Sequence, residues 1–342
     1  MNTKETIPSK WNAHNAKEFF SSSLESIFSD EICVQSRYSA DDIVRVIRNA
    51  ITMNEYVETY VKNNPSIRTP SADTIFRRIH GIASEPGSHR RKGSVPMKSS
   101  MDQSGIDLIT DLIDRIVKTG IALGAFKEPV NVAIDEHDEP YYGMDNRYLI
   151  NAPFHKFRGT SRAYRFATLE SIKRGERFTL SVMRKHPLDG IDNASEVDLL
   201  IRHAISLGVV INMVLMDRGY LDVGVMKRVE SHNLKYIIPA KDNKKVIRFR
   251  KMEMKYSDEG FSFLVIKDNI SSGKETVDTD FVHVVYYAGG KRHDFSFYTN
   301  AHVDEHNVIN IAETYRSRWG IENGYQEKSD TEEKTHSPEM GL

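Results

Sequence analysis

Asp135 closes the apolar run VNVAID, and Asp217 closes the longer run VVINMVLMD. An acid at the carboxyl end of a buried strand stands where open α/β sheets place their functional groups. An acid there can equally start a turn or cap a helix, so neither aspartate is decisive alone. Asp217 in particular can open the turn into a helix near 222. A third carboxylate comes from the late stretch YRSRWGIENGYQEK. On a helix, Tyr315, Arg318, Trp319 and Glu322 fall within roughly 100° of one another. They continue the apolar stripe of Val308, Ile311 and Ala312. A face that packs on a sheet therefore turns into an aromatic, an arginine and an acid, a costly set unless something anionic lies nearby. An Arg318–Glu322 ion pair, worth about 0.3–0.5 kcal/mol, accounts for two of these residues. It does not account for an acid that extends the buried face.

The elements that must position these groups follow from periodicity. Residues 1–83 read as helical: Ile43, Val46, Ile47 and Ile51 recur at helical spacing, and so do Ile75, Ile79 and Ile82 after the turn NPSIRTP. Two helices around a short turn, the second carrying Arg77 and Arg78, suit either a helix-turn-helix or an ordinary helical pair. Residues 84–104 are rich in Gly, Pro, Ser and basic residues and read as a linker, and within 84–98 Arg90, Arg91, Lys92 and Lys98 stand against Glu85 alone. A second basic cluster, Lys156, Arg158, Arg162 and Arg165, contains no acid. Both clusters suit phosphate or plain solvent.

From 105 to 243 a helix is followed by three strand-like segments and then by alternating helix and strand. That order describes a mixed sheet flanked by helices. Residues 244–299 alternate apolar and polar residues between glycine turns and read as an antiparallel β insertion; residues 300–342 return to the first unit through a helix at 305–328.

Composition narrows the function classes. The chain has 342 residues, 39% hydrophobic content and a net charge of −1, ample for a buried core and uninformative about partners. One cysteine, Cys33, excludes an internal disulfide and a cysteine-based zinc knuckle. No apolar run approaches a membrane span and no signal-peptide core opens the chain, so a cytoplasmic protein is expected. No phosphate-cradling glycine loop and no Gly-x-Ser-x-Gly elbow occur. In Asp135-Glu136-His137-Asp138 a histidine sits among acids, but neighbours on a strand face opposite ways, which disfavours a zinc or iron site.

The blocks AIDEH, LMDRGY and YRSRWGIENGYQEK, in this order around a β insertion, resemble the catalytic core of DDE transposases of bacterial and archaeal insertion sequences. The resemblance is to the IS-four-type branch with a Tyr-x2-Arg-x3-Glu-x6-Lys signature, over about 125–342. It implies a ribonuclease-H-like α/β fold with Asp135, Asp217 and Glu322 as the catalytic, metal-binding triad. Two Mg²⁺ (or Mn²⁺) ions about 3.5–4 Å apart would serve strand cleavage by water and strand transfer by a 3′-hydroxyl. Tyr315, Arg318 and Lys328 would contact DNA beside the scissile bond, with Arg218 offsetting developing charge. Double-stranded DNA is the implied partner, with a homodimer in the active complex and a DNA-binding N-terminal region that includes Arg77, Arg78, Arg90, Arg91 and Lys92. The signature's lysine position holds Ser329, and Lys328 precedes it, roughly 120° from Glu322 on a continuous helix. The sequence stops 20 residues past Glu322, which reads as a C-terminally short copy. Two alternatives stay open: a truncated transposase that only binds DNA, and a ribonuclease-H-like nuclease.

Overall fold

The computed structural model describes residues 38–53, 57–71, 74–75, 103–122, 124–142, 148–152, 157, 159–173 and 176–318. At the amino-terminal end, helices α1 (Ala40–Met53) and α2 (Val57–Asn63) share a small core of Ile43, Val46, Ala50, Val57, Tyr60 and Ile75. Arg77, Arg78, Arg90, Arg91 and Lys92 lie outside the described residues.

The rest is organised on one ten-stranded mixed sheet. After helix α3 (Gln103–Ala122) come strands β1 (Val130–Pro140), β2 (Ile150–Asn151), β3 (Arg162–Lys173) and β4 (Glu176–Lys185). Helix α4 (Asn193–Ser206), strand β5 (Ile211–Met216), helix α5 (Val223–Ser231) and strand β6 (Lys235–Pro239) follow. β1, β5 and β6 run parallel, while β3 pairs antiparallel with β1 and carries β4 on its other side. This order, β4–β3–β1–β5–β6, is the ribonuclease-H-like mixed sheet.

Helix α6 (Lys244–Arg250) opens the next segment, where the sequence suggested strands alone; Asn243 caps it, its side chain accepting from the Val246 amide at 2.9 Å. Strands β7 (Lys255–Tyr256), β8 (Ser262–Ser272), β9 (Glu275–Ala288) and β10 (Lys291–Thr299) are antiparallel. β10 bonds to β6, with Phe297 opposite Pro239, so the insertion continues the central sheet.

The side-chain alternation of a strand sends neighbours to opposite faces. Val132 and Ile134 of β1, with Val214 and Met216 of β5, enter a core shared with α3, α4, α5 and α6. Ala133, Met213 and Leu215 enter a second core, shared with helix α7 (Val308–Arg316). Strands covered on both faces read as unbroken apolar runs, which is why VNVAI and VVINMVLM show no alternation. Among the described residues no helix is long and apolar enough to cross a membrane.

Asp192 caps α4, accepting from the Ser195 amide at 2.7 Å. Asp192→Ala is expected to lower stability by about 1 kcal/mol, as loss of an N-cap does, read as a lower urea midpoint with an unchanged slope.

Candidate active site

Asp135 does not end its strand. β1 continues to Pro140, paired with β3 alone, because its parallel neighbour β5 stops at Met216. Ile134 pairs with Met216, which places Asp135 and Asp217 at the next position on adjacent strands. Both follow residues of the α4–α5 core, so by alternation both belong to the face covered by α7. They also line one cleft of about 260 Å³, with Glu136, Asp138, Arg165 and Tyr220.

Asp217 is fixed by its own turn. Its Oδ1 accepts from the Gly219 amide at 2.6 Å as it caps a 3₁₀ turn, Arg218–Tyr220. A Cβ on Gly219 would stand 2.8 Å from that oxygen and push the carboxylate aside. Arg218 is exposed beside it. Asp135 Oδ1 accepts from the Glu136 amide at 3.0 Å.

Helix α7 begins at Val308, three residues later than its sequence suggests, because Asp304 and Asn307 hold the preceding turn by hydrogen bonds of their own. Its buried stripe is Val308, Ile311, Ala312 and Tyr315, and it extends to Arg318, which is 7% exposed. Tyr315 stacks on Phe295, centroids 4.9 Å apart. Its hydroxyl accepts from Arg318 Nε at 3.1 Å, and Arg318 Nη1 lies 3.5 Å from Asp135 Oδ2. Burial works against the charge of Arg318, but Tyr315, Asp135 and Asp217 together hold its pKa above the usual guanidinium value. The Tyr315 hydroxyl is pushed up, chiefly by burial. Glu322 and Lys328 lie outside the described residues, as do Trp319 and Ser329.

Two carboxylates at one point are hard oxygen donors of the kind Mg²⁺ and Mn²⁺ prefer. Among the described residues no group of three or more His, Cys, Asp or Glu side chains could hold a metal ion. The acids next to Asp135 are otherwise engaged. His137 Nε2 is 2.6 Å from Glu139 on the same side of β1, and Asp138 takes a bidentate bond from Arg165 at 2.6 and 3.0 Å. Arg165, read from sequence as a candidate for phosphate, is therefore committed to a buried carboxylate. Asp138 is 3% exposed, and a directly opposed strand partner such as Arg165 satisfies it.

Residues on the opposite face escaped the sequence reading. Glu196 of α4 is fully buried, accepts from the Tyr220 hydroxyl at 2.5 Å and lies 2.6 Å from Lys185 Nζ. Lys185 also reaches Glu136 at 2.5 Å and Asn193 at 2.7 Å. Burial, opposed by its two partners, raises the Glu196 pKa. Burial disfavours the charged lysine, yet Glu136 and Glu196 carry its pKa above the ordinary value. One signal was available: Glu196 falls on the apolar stripe of SEVDLLIRHAISLG, with Val197, Leu200 and Ile201.

The mixed sheet with its flanking helices is a ribonuclease-H-like fold, the fold seen in transposases. Residues 191–327 match the family model described as the transposase DDE domain. That segment contains Asp217, Tyr315, Arg318 and Glu322 and begins after Asp135, whose place rests on strand pairing alone. The chain is similar to the piggyBac transposase, solved as a synaptic complex with hairpin DNA: TM-score 0.50 and 10% identity over 94% of this chain and 67% of that one. At that identity the likeness is one of fold. The Mos1 transposase, in a paired-end complex with the left transposon end, aligns over 60% of each chain at 10% identity, and its TM-score of 0.20 carries no argument. No curated protein matches the sequence.

Proposed function

We propose that this chain is a DDE transposase of the insertion-sequence type, cutting and joining DNA by phosphoryl transfer. The observation that carries the reading is the meeting of Asp135, Asp217 and Arg318 where β5 ends beside β1, in the middle of the sheet, from three segments far apart in sequence. The match of residues 191–327 to the transposase DDE domain supports it independently.

In this reading Asp135 and Asp217 hold divalent cations, with Glu322 as the third ligand. When bound, Mg²⁺ or Mn²⁺ supplies a lowered pKa for the attacking water or 3′-hydroxyl and charge stabilisation for the leaving oxygen. The chain's own residues do the rest. Gly219 and the Asp217 turn hold one carboxylate in place, and the pairing of β1 with β5 sets the other beside it. Arg318 brings a fixed guanidinium to the scissile phosphate, where negative charge builds on the non-bridging oxygens. Tyr315, locked against Phe295, aims Arg318 through its hydroxyl. Arg218 contacts the DNA backbone from the exposed turn, and Lys328 does so from the chain beyond. The amino-terminal helices and the basic stretch at 90–92 add sequence-independent contacts, two copies of the chain assemble on paired element ends, and the reaction takes place in the cytoplasm.

The test is incubation of the full chain with the element's own end DNA and Mg²⁺, with cleavage read on a denaturing gel and joining read with a target plasmid. Cleavage that requires the metal and is lost in Glu322→Gln supports the reading. Cleavage without joining would favour a nuclease, and binding without cleavage a DNA-binding protein. Affinity should fall with salt at a slope of about −0.9 per phosphate contact on a log–log plot.

A further inference from the structure

We infer that Lys185, Glu196 and Tyr220 form a buried brace that sets the spacing of Asp135 and Asp217 from the opposite face of the sheet. The inference rests on the proposed function for its consequence, but not for its geometry. Asp135 lies in β1 and Asp217 directly after β5; the brace reaches the first through the adjacent Glu136 and the second through Tyr220, three residues on. Glu136, next to Asp135, is held by Lys185 at 2.5 Å. Tyr220, the last residue of the 3₁₀ turn that Asp217 caps, donates to Glu196 at 2.5 Å. Lys185 and Glu196 close the link at 2.6 Å.

The path from one acid to the other thus runs Glu136–Lys185–Glu196–Tyr220, and two of its members come from β4 and α4, elements that carry no residue of the proposed triad. Glu196 has 0% exposure and Tyr220 3%. Water therefore does not substitute for a lost partner at that end. A strand pairing alone fixes backbone register. It leaves the tip of β1 beyond β5 and the turn after Asp217 free to shift relative to each other, and the brace joins those two segments. These are positioning residues: their partners are the neighbours of the acids, which orient proposed metal ligands as outer-shell groups do elsewhere.

The informative variant is Tyr220→Phe, which removes one hydroxyl and keeps the ring that packs in the core; Glu196→Gln, which keeps an acceptor for Tyr220 but not the charge opposite Lys185, is the second. Two readouts are used on the full-length protein. Hydrogen exchange followed by mass spectrometry is expected to accelerate in both variants at two separate segments, 134–138 and 216–221. Mn²⁺ titration by electron paramagnetic resonance is expected to show binding weakened about tenfold, with circular dichroism unchanged. In cleavage assays kcat should fall while KM for DNA stays constant. Exchange that rises in only one segment, or Mn²⁺ affinity equal to wild type in both variants, would overturn the brace. Coupled loosening of the two segments in a protein whose wild type binds no Mn²⁺ would support the brace and overturn the proposed function instead.

Discussion

Asp217→Asn is expected to remove DNA cleavage while leaving the fold intact. Asparagine keeps a side-chain oxygen that can accept from the Gly219 amide, so the 2.6 Å bond that fixes the turn survives. What is lost is the negative charge that a divalent cation requires of its ligand. The expected fall in cleavage rate is at least about 10³-fold, or about 4 kcal/mol of transition-state stabilisation. Asp135→Asn should match it in rate but not in stability, because Arg318 loses the carboxylate 3.5 Å away inside a buried site. The comparison separates chemistry from folding: quenched-flow or gel kinetics should give two equally inactive proteins, and thermal unfolding should give a lower midpoint for Asp135→Asn alone. Cleavage by Asp217→Asn within tenfold of wild type would remove that residue from the chemistry.

The second large effect concerns stability. Lys185→Met should destabilise the protein by about 3 kcal/mol, the lower end for breaking a buried ion pair, since the Lys185 side chain retains 16% exposure whereas Glu196 has none. The cost comes from Glu196, left charged or forced to take a proton without its counter-ion. Removing both members should cost less than the sum of the single changes, because the double variant Lys185→Met/Glu196→Met leaves no charge stranded on α4. Urea unfolding of the four proteins gives the coupling energy directly. Additive losses would mean that the two groups do not depend on each other.

Much of this architecture was legible before any coordinates. The apolar runs VNVAI and VVINMVLM announced strands buried on both faces, and a strand buried twice needs no alternation to be recognised. The stripe Val308, Ile311, Ala312, Tyr315 and Arg318 was readable because helical spacing is a local property. The burial of Arg318, in the turn just past the end of α7, agrees with the same spacing, and its partner turned out to be Asp135. Boundaries were less legible. Nothing in AIDEH says that β1 runs on to Pro140, since that depends on β3 having a longer edge to offer than β5. Helix α6 was hidden in a stretch dominated by strand signals, because its two buried residues, Val246 and Phe249, are too few to show a period.

Residue types and local spacing by themselves determined most of the strands and helices, and that Asp135 and Asp217 each directly follow a buried apolar run. Only the tertiary structure decided that Asp135 and Asp217 are neighbours, that Arg165 serves Asp138 and that Lys185 and Glu196 lie behind the site. The reason is physical: periodicity is set by the chain's own dihedral angles over a few residues, whereas a charge finds its partner through strand order and helix packing. Those are settled by contacts between segments tens of residues apart, where the sequence carries no local trace of the outcome.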